Sequence, residues 1–209
     1  MYTNSCGNNL TGTAGNDVAR TTRGGDNVAT LGGDDKVRAG EGGDCVDGGD
    51  GNDALSGNAD RDMLQGMAGD DQVFGREDDD QVSGNDGNDR VTGGSGADRA
   101  FGRSGNDRVG GGSGNDSLSG GDGNDRVSAG AGDDRTFGGP GADGVSGNAG
   151  NDLVVGGPDA DRLFGRAGND RIRARDGARD RISCGRGRDT VSADRRDRVS
   201  GDCERVRRG

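Results

Sequence analysis

The chain has 209 residues, of which 48 are Gly, 26% are hydrophobic and 2% are aromatic, and it carries a net charge of −11. So little apolar material cannot fill the single large core that this length ordinarily builds. No run approaches the ~18 apolar residues of a membrane span, and a chain without His is poorly suited to imidazole catalysis or to a zinc or copper site.

Residues 3–11 are a decayed copy of a repeat, with Asn8 in its acidic slot and Leu10 in its apolar slot. Residues 1–11 are therefore expected to form an N-terminal cap. From Asp17 to Asp170 an aspartate stands at every ninth position without a miss, and a period this regular outranks any argument from helices or ordinary strands. Val, Leu or Ile follows two residues later in 15 of the 18 copies; Ala19, Ala100 and Thr136 stand in the others. Gly stands two residues before the aspartate in 15 copies and is replaced by Asp60, Asp78 and Asp159 in the rest. The clearest copy is Gly120-Gly121-Asp122-Gly123-Asn124-Asp125-Arg126-Val127-Ser128.

Past Asp170 the spacing runs ten, nine and eight residues to Asp180, Asp189 and Asp197, which restores the phase. Ile182, Val191 and Val199 keep the apolar slot filled. Residues 12–173 are read as the body, and 174–209 as an Arg-rich continuation and cap that has given up ion sites. Charge follows the same division: residues 1–161 carry −18 and residues 162–209 carry +7, the latter with 15 Arg. An acidic body with a basic tail argues against nucleic acid as the main partner and suits a cation.

A nine-residue unit with one apolar position is too short for a helical repeat. It predicts an all-β parallel solenoid with two repeats per coil, each repeat a six-residue Gly-rich turn and a three-residue strand whose middle side chain points inward. Alternate repeats then stack on the same side. One ladder holds Asp17, Asp35, Asp53, Asp71, Asp89, Asp107, Asp125, Asp143 and Asp161. The other holds Asp26, Asp44, Asp62, Asp80, Asp98, Asp116, Asp134, Asp152 and Asp170. Rungs lie about 4.8 Å apart, where two carboxylates repel by about 3.5 kcal/mol at an effective dielectric near 20. A hard divalent cation between rungs reverses that sign. Calcium accepts six to eight oxygens in flexible geometry, whereas magnesium demands a tighter octahedron and holds its water.

The pattern G-G-x-G-x-D-x-(apolar)-x resembles the RTX, or haemolysin-type, calcium-binding repeats over residues 12–172. That resemblance implies a parallel β-roll with degenerate capping repeats at both ends, calcium between the turns, and an extracellular setting. It also implies that the ions are held by the sixth-position aspartates, the 18 residues named above, together with turn carbonyls. Sixteen gaps is the ceiling for such ladders, and about 8–14 filled calcium sites are expected.

Other chemistry finds no support. No EF-hand run occurs, no Lys follows a Gly cluster as a nucleotide loop requires, and no catalytic residue is nominated. No positively charged start followed by an apolar run is present, so a secretion signal is expected elsewhere. Four Cys without a C-x-x-C pair point to disulfides and an oxidising compartment. Cys184 and Cys203 are nearly one coil apart and are expected to bridge; Cys6 and Cys45 are the remaining pair. Arg90, Arg108 and Arg126 line up on one outer face, and the four Phe (74, 101, 137, 164) occupy the ninth position, outside the inner slot. The reading that follows is a calcium-binding structural or interaction module. Two alternatives remain: an anionic-polysaccharide binder using the Arg face, and a self-associating filament or surface protein built by end stacking.

Overall fold

The structure, a computed structural model, describes residues 7–209. Within them the chain forms strands and turns and no helix. Strands alternate between two parallel sheets of twelve and eleven members, so that every second strand is a hydrogen-bonded neighbour. Two nonapeptides therefore make one coil, and the register pairs each residue with the one 18 further on: Val91 with Val109, Val109 with Val127, Val127 with Val145. Leu10 pairs with Val28, which puts the decayed N-terminal copy in phase. The irregular spacing after Asp170 is absorbed without a slip, since Leu163 pairs with Ile182 and Ile182 with Val199.

The strands are longer than the expected three residues. Most run for six, as in Arg90–Ser95 and Arg108–Ser113. The cause is the strictness of the repeat: identical positions stack, so pairing continues past the apolar slot through the first half of what the sequence suggested was turn. Gly94 still pairs with Gly112 and Ser95 with Ser113.

The interior is two rows of apolar side chains facing one another. Val37, Leu55, Val73, Val91, Val109, Val127, Val145 and Leu163 come from the 11-stranded sheet and Val28, Val46, Leu64, Val82, Leu118, Val154 and Ile172 from the other, all essentially inaccessible. The inward side of the alternation takes these side chains out of water, and two positions further on a small residue is buried as well, as at Ala39 and Ala129. Thr136 occupies the same buried slot, and its Oγ1 donates to the Leu153 carbonyl at 3.3 Å, which satisfies the hydroxyl.

The bend between strand and turn uses left-handed backbone. Gly123 has φ of 135°, and a Cβ there would fall on the carbonyl oxygen of Gly105. Several non-glycine residues accept the strained region beside it, and their partners repeat as well. Arg76, Arg103 and Arg166, at φ of 100°, 93° and 86°, each lie over the ring of the Phe two residues earlier, at 5.7, 5.0 and 5.1 Å. Asn58, Asn85 and Asn148, at φ of 85°, 80° and 75°, each accept a hydrogen bond from the Ser two residues earlier, at 3.2, 3.1 and 2.9 Å. Phe-Gly-Arg and Ser-Gly-Asn are thus two solutions to one local problem, in which a side-chain contact offsets backbone strain.

Cys184 and Cys203 form a disulfide with Cα atoms 5.2 Å apart, as their one-coil separation suggested. The expected pairing of Cys6 with Cys45 lies outside the described residues, because Cys6 does.

Candidate metal centre

Each ladder aspartate sits at the end of a turn, immediately before a strand, with its side chain turned into the stack. All but Asp17 are buried. The two carboxylate oxygens have different fates. Oδ1 accepts the backbone N–H of the ladder aspartate one coil earlier: Asp89 N–H donates to Asp107, Asp107 to Asp125 and Asp125 to Asp143, each at 2.8 Å. The series runs unbroken along both sides, from Asp17 to Asp197 on one and from Asp26 to Asp189 on the other. The position before the ladder residue runs the opposite way. There Asn88 Oδ1 accepts the N–H of Asn106, and Asn106 Oδ1 that of Asn124, at 3.0 and 2.9 Å. Neighbouring turns are therefore bolted in both directions.

Oδ2 has no partner. In 16 of the 18 sequence-nominated aspartates, Asp35 through Asp170, this atom is buried and accepts nothing. Asp17 differs because its Oδ2 accepts from the backbone N–H and the hydroxyl of Thr13, at 2.6 and 3.1 Å, as befits a terminal rung. A buried carboxylate oxygen without a donor costs free energy, and a whole row of them is a systematic arrangement.

What faces these oxygens is more oxygen. A Cβ added at Gly12 would lie 2.5 Å from Asp17 Oδ2 and 2.8 Å from the Thr30 carbonyl oxygen. The same two groups converge on the first glycine of later repeats: Asp71 Oδ2 with the Gly84 carbonyl over Gly66, and Asp107 Oδ2 with the Gly120 carbonyl over Gly102. The glycine keeps open a space that any side chain would fill, and the atoms turned toward it are a carboxylate oxygen from one coil and a carbonyl oxygen from the next. An oxygen-only donor set of this kind fits a hard cation of the calcium type and offers nothing to a soft one. A bound calcium would supply the positive charge that this set lacks.

The electrostatics agree. Burial, reinforced by neighbouring carboxylates, pushes Asp80 up to about 8 and Asp62, Asp71, Asp107, Asp116, Asp143 and Asp161 to about 7. Burial likewise raises Asp89, Asp98, Asp152 and Asp170 to about 6 and raises Asp44, Asp53, Asp125 and Asp134. Without a counterion, Asp80 and the six groups raised to about 7 hold protons for much of the time near neutrality.

Two residues of the same geometry were missed by the sequence reading. Asp180 and Asp189 are buried, accept the N–H of Asp161 and Asp170 at 2.8 Å, and have the same unpartnered Oδ2. The signal was present in the apolar residue two places on and the restored phase. The 15 Arg of residues 162–209 give that segment a net positive charge, which argues against cation sites there. The ladders close at Asp197, whose Oδ2 accepts from Asp194 N–H at 2.5 Å, and at Glu204, which accepts from Asp189 N–H at 2.9 Å.

The fold and its buried acidic ladders define a parallel β-roll built to stack carboxylates. The family model of the RTX calcium-binding nonapeptide repeat, in four-copy units, matches residues 11–46, 20–55, 47–82, 74–109, 83–118, 110–145 and 146–179. The chain belongs to the RTX family, whose nonapeptide repeats bind calcium in multiple sites. No curated protein matches the chain.

Proposed function

We propose that this chain is a secreted or cell-surface structural and interaction module that calcium orders. Residues 12–173 are the main ion-binding roll, flanked by a cap at 1–11 and an Arg-rich continuation at 174–209 that carries the same ligand geometry at Asp180 and Asp189. The ladder aspartates hold about 8–14 calcium ions together with turn carbonyls. The observation that carries the reading is the row of buried, unpartnered Oδ2 atoms. Such a row is tolerable when cations lie beside it and strongly unfavourable when bare and ionised. Because the unfolded chain has no such site, binding free energy becomes folding free energy, and nearest-neighbour coupling between coils makes ordering cooperative. The Cys184–Cys203 disulfide supports an oxidising compartment. Circular dichroism during a calcium titration tests the proposal: a sigmoidal gain of β signal, reversed by EGTA, is expected, and equal β content after exhaustive chelation at neutral pH would overturn it.

A second reading, in which the module binds an anionic polysaccharide, is supported by the register that stacks Arg90 on Arg108 and Arg108 on Arg126.

A further inference from the structure

The arginine column of the 11-stranded sheet has a feature that ion binding does not explain. The register continues it beyond Arg126 through Gly144 to Arg162, Arg181 and Arg198. These six side chains are exposed, and none has an ion-pair partner among the described residues. Arginines on adjacent strands lie about 4.8 Å apart, and Arg126 and Arg162 about twice that with Gly144 between them; like charges opposed on paired strands repel. The same repeat position on the 12-stranded sheet avoids that repulsion by strict alternation: Arg99, Ser117, Arg135, Leu153, Arg171, Thr190, Arg205. One face spaces its cations and the other stacks them.

The stacked column borders a groove of about 870 Å³ that runs along the roll, lined also by Asn88, Asn106 and Asn124, by Asp70 and by the ladder aspartates from Asp71 to Asp143. Arg162 joins it to a smaller cleft of about 260 Å³ lined also by Arg179, Arg181 and Arg198. The asparagine wall hides its acceptors. Asn88 Oδ1 takes both the N–H and the side-chain amide of Asn106, and Asn106 Oδ1 takes both from Asn124. Asp89, Asp107 and Asp125 lie between them, but their Oδ1 atoms are taken by backbone N–H groups and their Oδ2 atoms are buried, so from Asn88 to Arg126 the exposed side-chain groups of the groove are mainly N–H donors.

We propose that this groove binds a linear sulfated polysaccharide, with sulfate esters along Arg90, Arg108 and Arg126 and further ones in the cleft at Arg162, Arg181 and Arg198. This rests on the anionic-polysaccharide reading and narrows it. A sulfate ester is an acceptor-only oxyanion whose oxygens suit the planar donor fork of Arg. A polymer whose charges are carboxylates on a hydroxyl-rich chain would bring donors to a wall with few free acceptors. The groove residues include no aromatic side chain, and the neighbouring Phe74 ring already has the guanidinium groups of Arg76 and Arg90 near it at 5.7 and 5.8 Å; this disfavours single-stranded nucleic acid, since its bases need stacking platforms. The acidic body repels any polyanion until cations fill the ladders, so binding requires calcium.

The test is affinity for dextran sulfate, for carboxymethyl-dextran of matched charge density and for plain dextran, measured on the full chain in saturating calcium. Dextran sulfate should bind in calcium, not in EGTA, and clearly more tightly than carboxymethyl-dextran. Replacing Arg90→Gln, Arg108→Gln and Arg126→Gln together should weaken it about tenfold or more, since charge-assisted contacts are lost. The calcium midpoint of folding should stay unchanged. Arg99→Gln, Arg135→Gln and Arg171→Gln remove equal charge from the other face and should change affinity by less than about twofold. If the first triple alters the calcium midpoint, the pair Arg162→Gln and Arg181→Gln supplies the comparison. Equal weakening by both faces, or equal affinity for the carboxylate polymer, overturns the sulfate assignment and leaves an anionic partner standing. No binding of any anionic polymer removes both.

Discussion

The backbone N–H of Asp107 donates to Oδ1 of Asp125, one coil on, at 2.8 Å, while Oδ2 of the same Asp125 is buried and accepts nothing. One carboxylate thus does two jobs that substitution can separate. Asp125→Asn keeps an acceptor for Asp107 but removes the charge, so the roll should still form with a higher calcium midpoint and a shallower titration. Asp125→Ala also orphans the Asp107 N–H, a further cost of about 1–3 kcal/mol. Calcium titrations of both variants by circular dichroism check the order; equal effects would mean that the hydrogen bond contributes nothing.

Acidity should replace calcium in part. The ladder carboxyls have folded pKa values raised from 3.8, to about 6 at Asp98, about 7 at Asp62 and about 8 at Asp80. A raised folded value means that the roll binds more protons than the unfolded chain. Its contribution to stability is then full below about pH 4 and is lost as pH rises through 6 to 8. In metal-free buffer, β content should be low at pH 8 and increase on acidification toward pH 4. Conversely, the calcium midpoint should rise as pH falls from 8 to 6, because the ion displaces those protons. A metal-free chain equally unstructured at both extremes would contradict the first expectation.

Glycines at different positions of the repeat should differ sharply in tolerance. Gly123→Ala places a Cβ on the Gly105 carbonyl in left-handed backbone, whereas a Cβ at Gly144 meets only the Asp125 carbonyl oxygen, at 3.9 Å. Gly123→Ala should cost more than about 2 kcal/mol, and Gly144→Ala should be neutral or slightly stabilising. Thermal unfolding in saturating calcium distinguishes them.

The Phe-Gly-Arg element gives a fourth test. Arg103→Ala keeps a β-carbon in left-handed backbone and loses the Phe101 ring contact, so a loss of about 1 kcal/mol is expected. Arg103→Gly loses the contact and also the strain, and should come out near neutral. A larger loss for glycine than for alanine would show that strain at this bend is unimportant.

The period made most of this molecule legible. An aspartate every nine residues with an apolar residue two places on has one stacking solution, so the two sheets, the coil of 18 and the inner Val and Leu rows follow from spacing alone. Strand length did not follow, because the pairing of Gly94 with Gly112 depends on exact repetition of backbone shape, which no side-chain pattern reports. Nor did the split roles of Oδ1 and Oδ2, which are a matter of geometry within one side chain. Arg90, Arg108 and Arg126 were visible as a column, but Arg181 and Arg198 were not. The spacing from Arg162 to Arg181 is one longer than the coil and that from Arg181 to Arg198 one shorter, and only the strand register shows that both land on the same line.

The bonds between ladder aspartates all point one way. Each coil lends its amide to the carboxylate of its successor, so a coil is complete only once the following one is in place. Removing residues from the front frees a ladder carboxylate that water can meet, and in the opposite-running ladder it orphans an amide such as that of Asp34, which donates to Asn16 Oδ1. Cutting behind Asp189 strips Asp170 of nothing, yet it leaves the amide of Asp189 without the Glu204 oxygen that receives it. The final rungs act as a doorstop for the aspartate column, while the neighbouring ladder, whose bonds run the other way, is stopped at the front by Asn16.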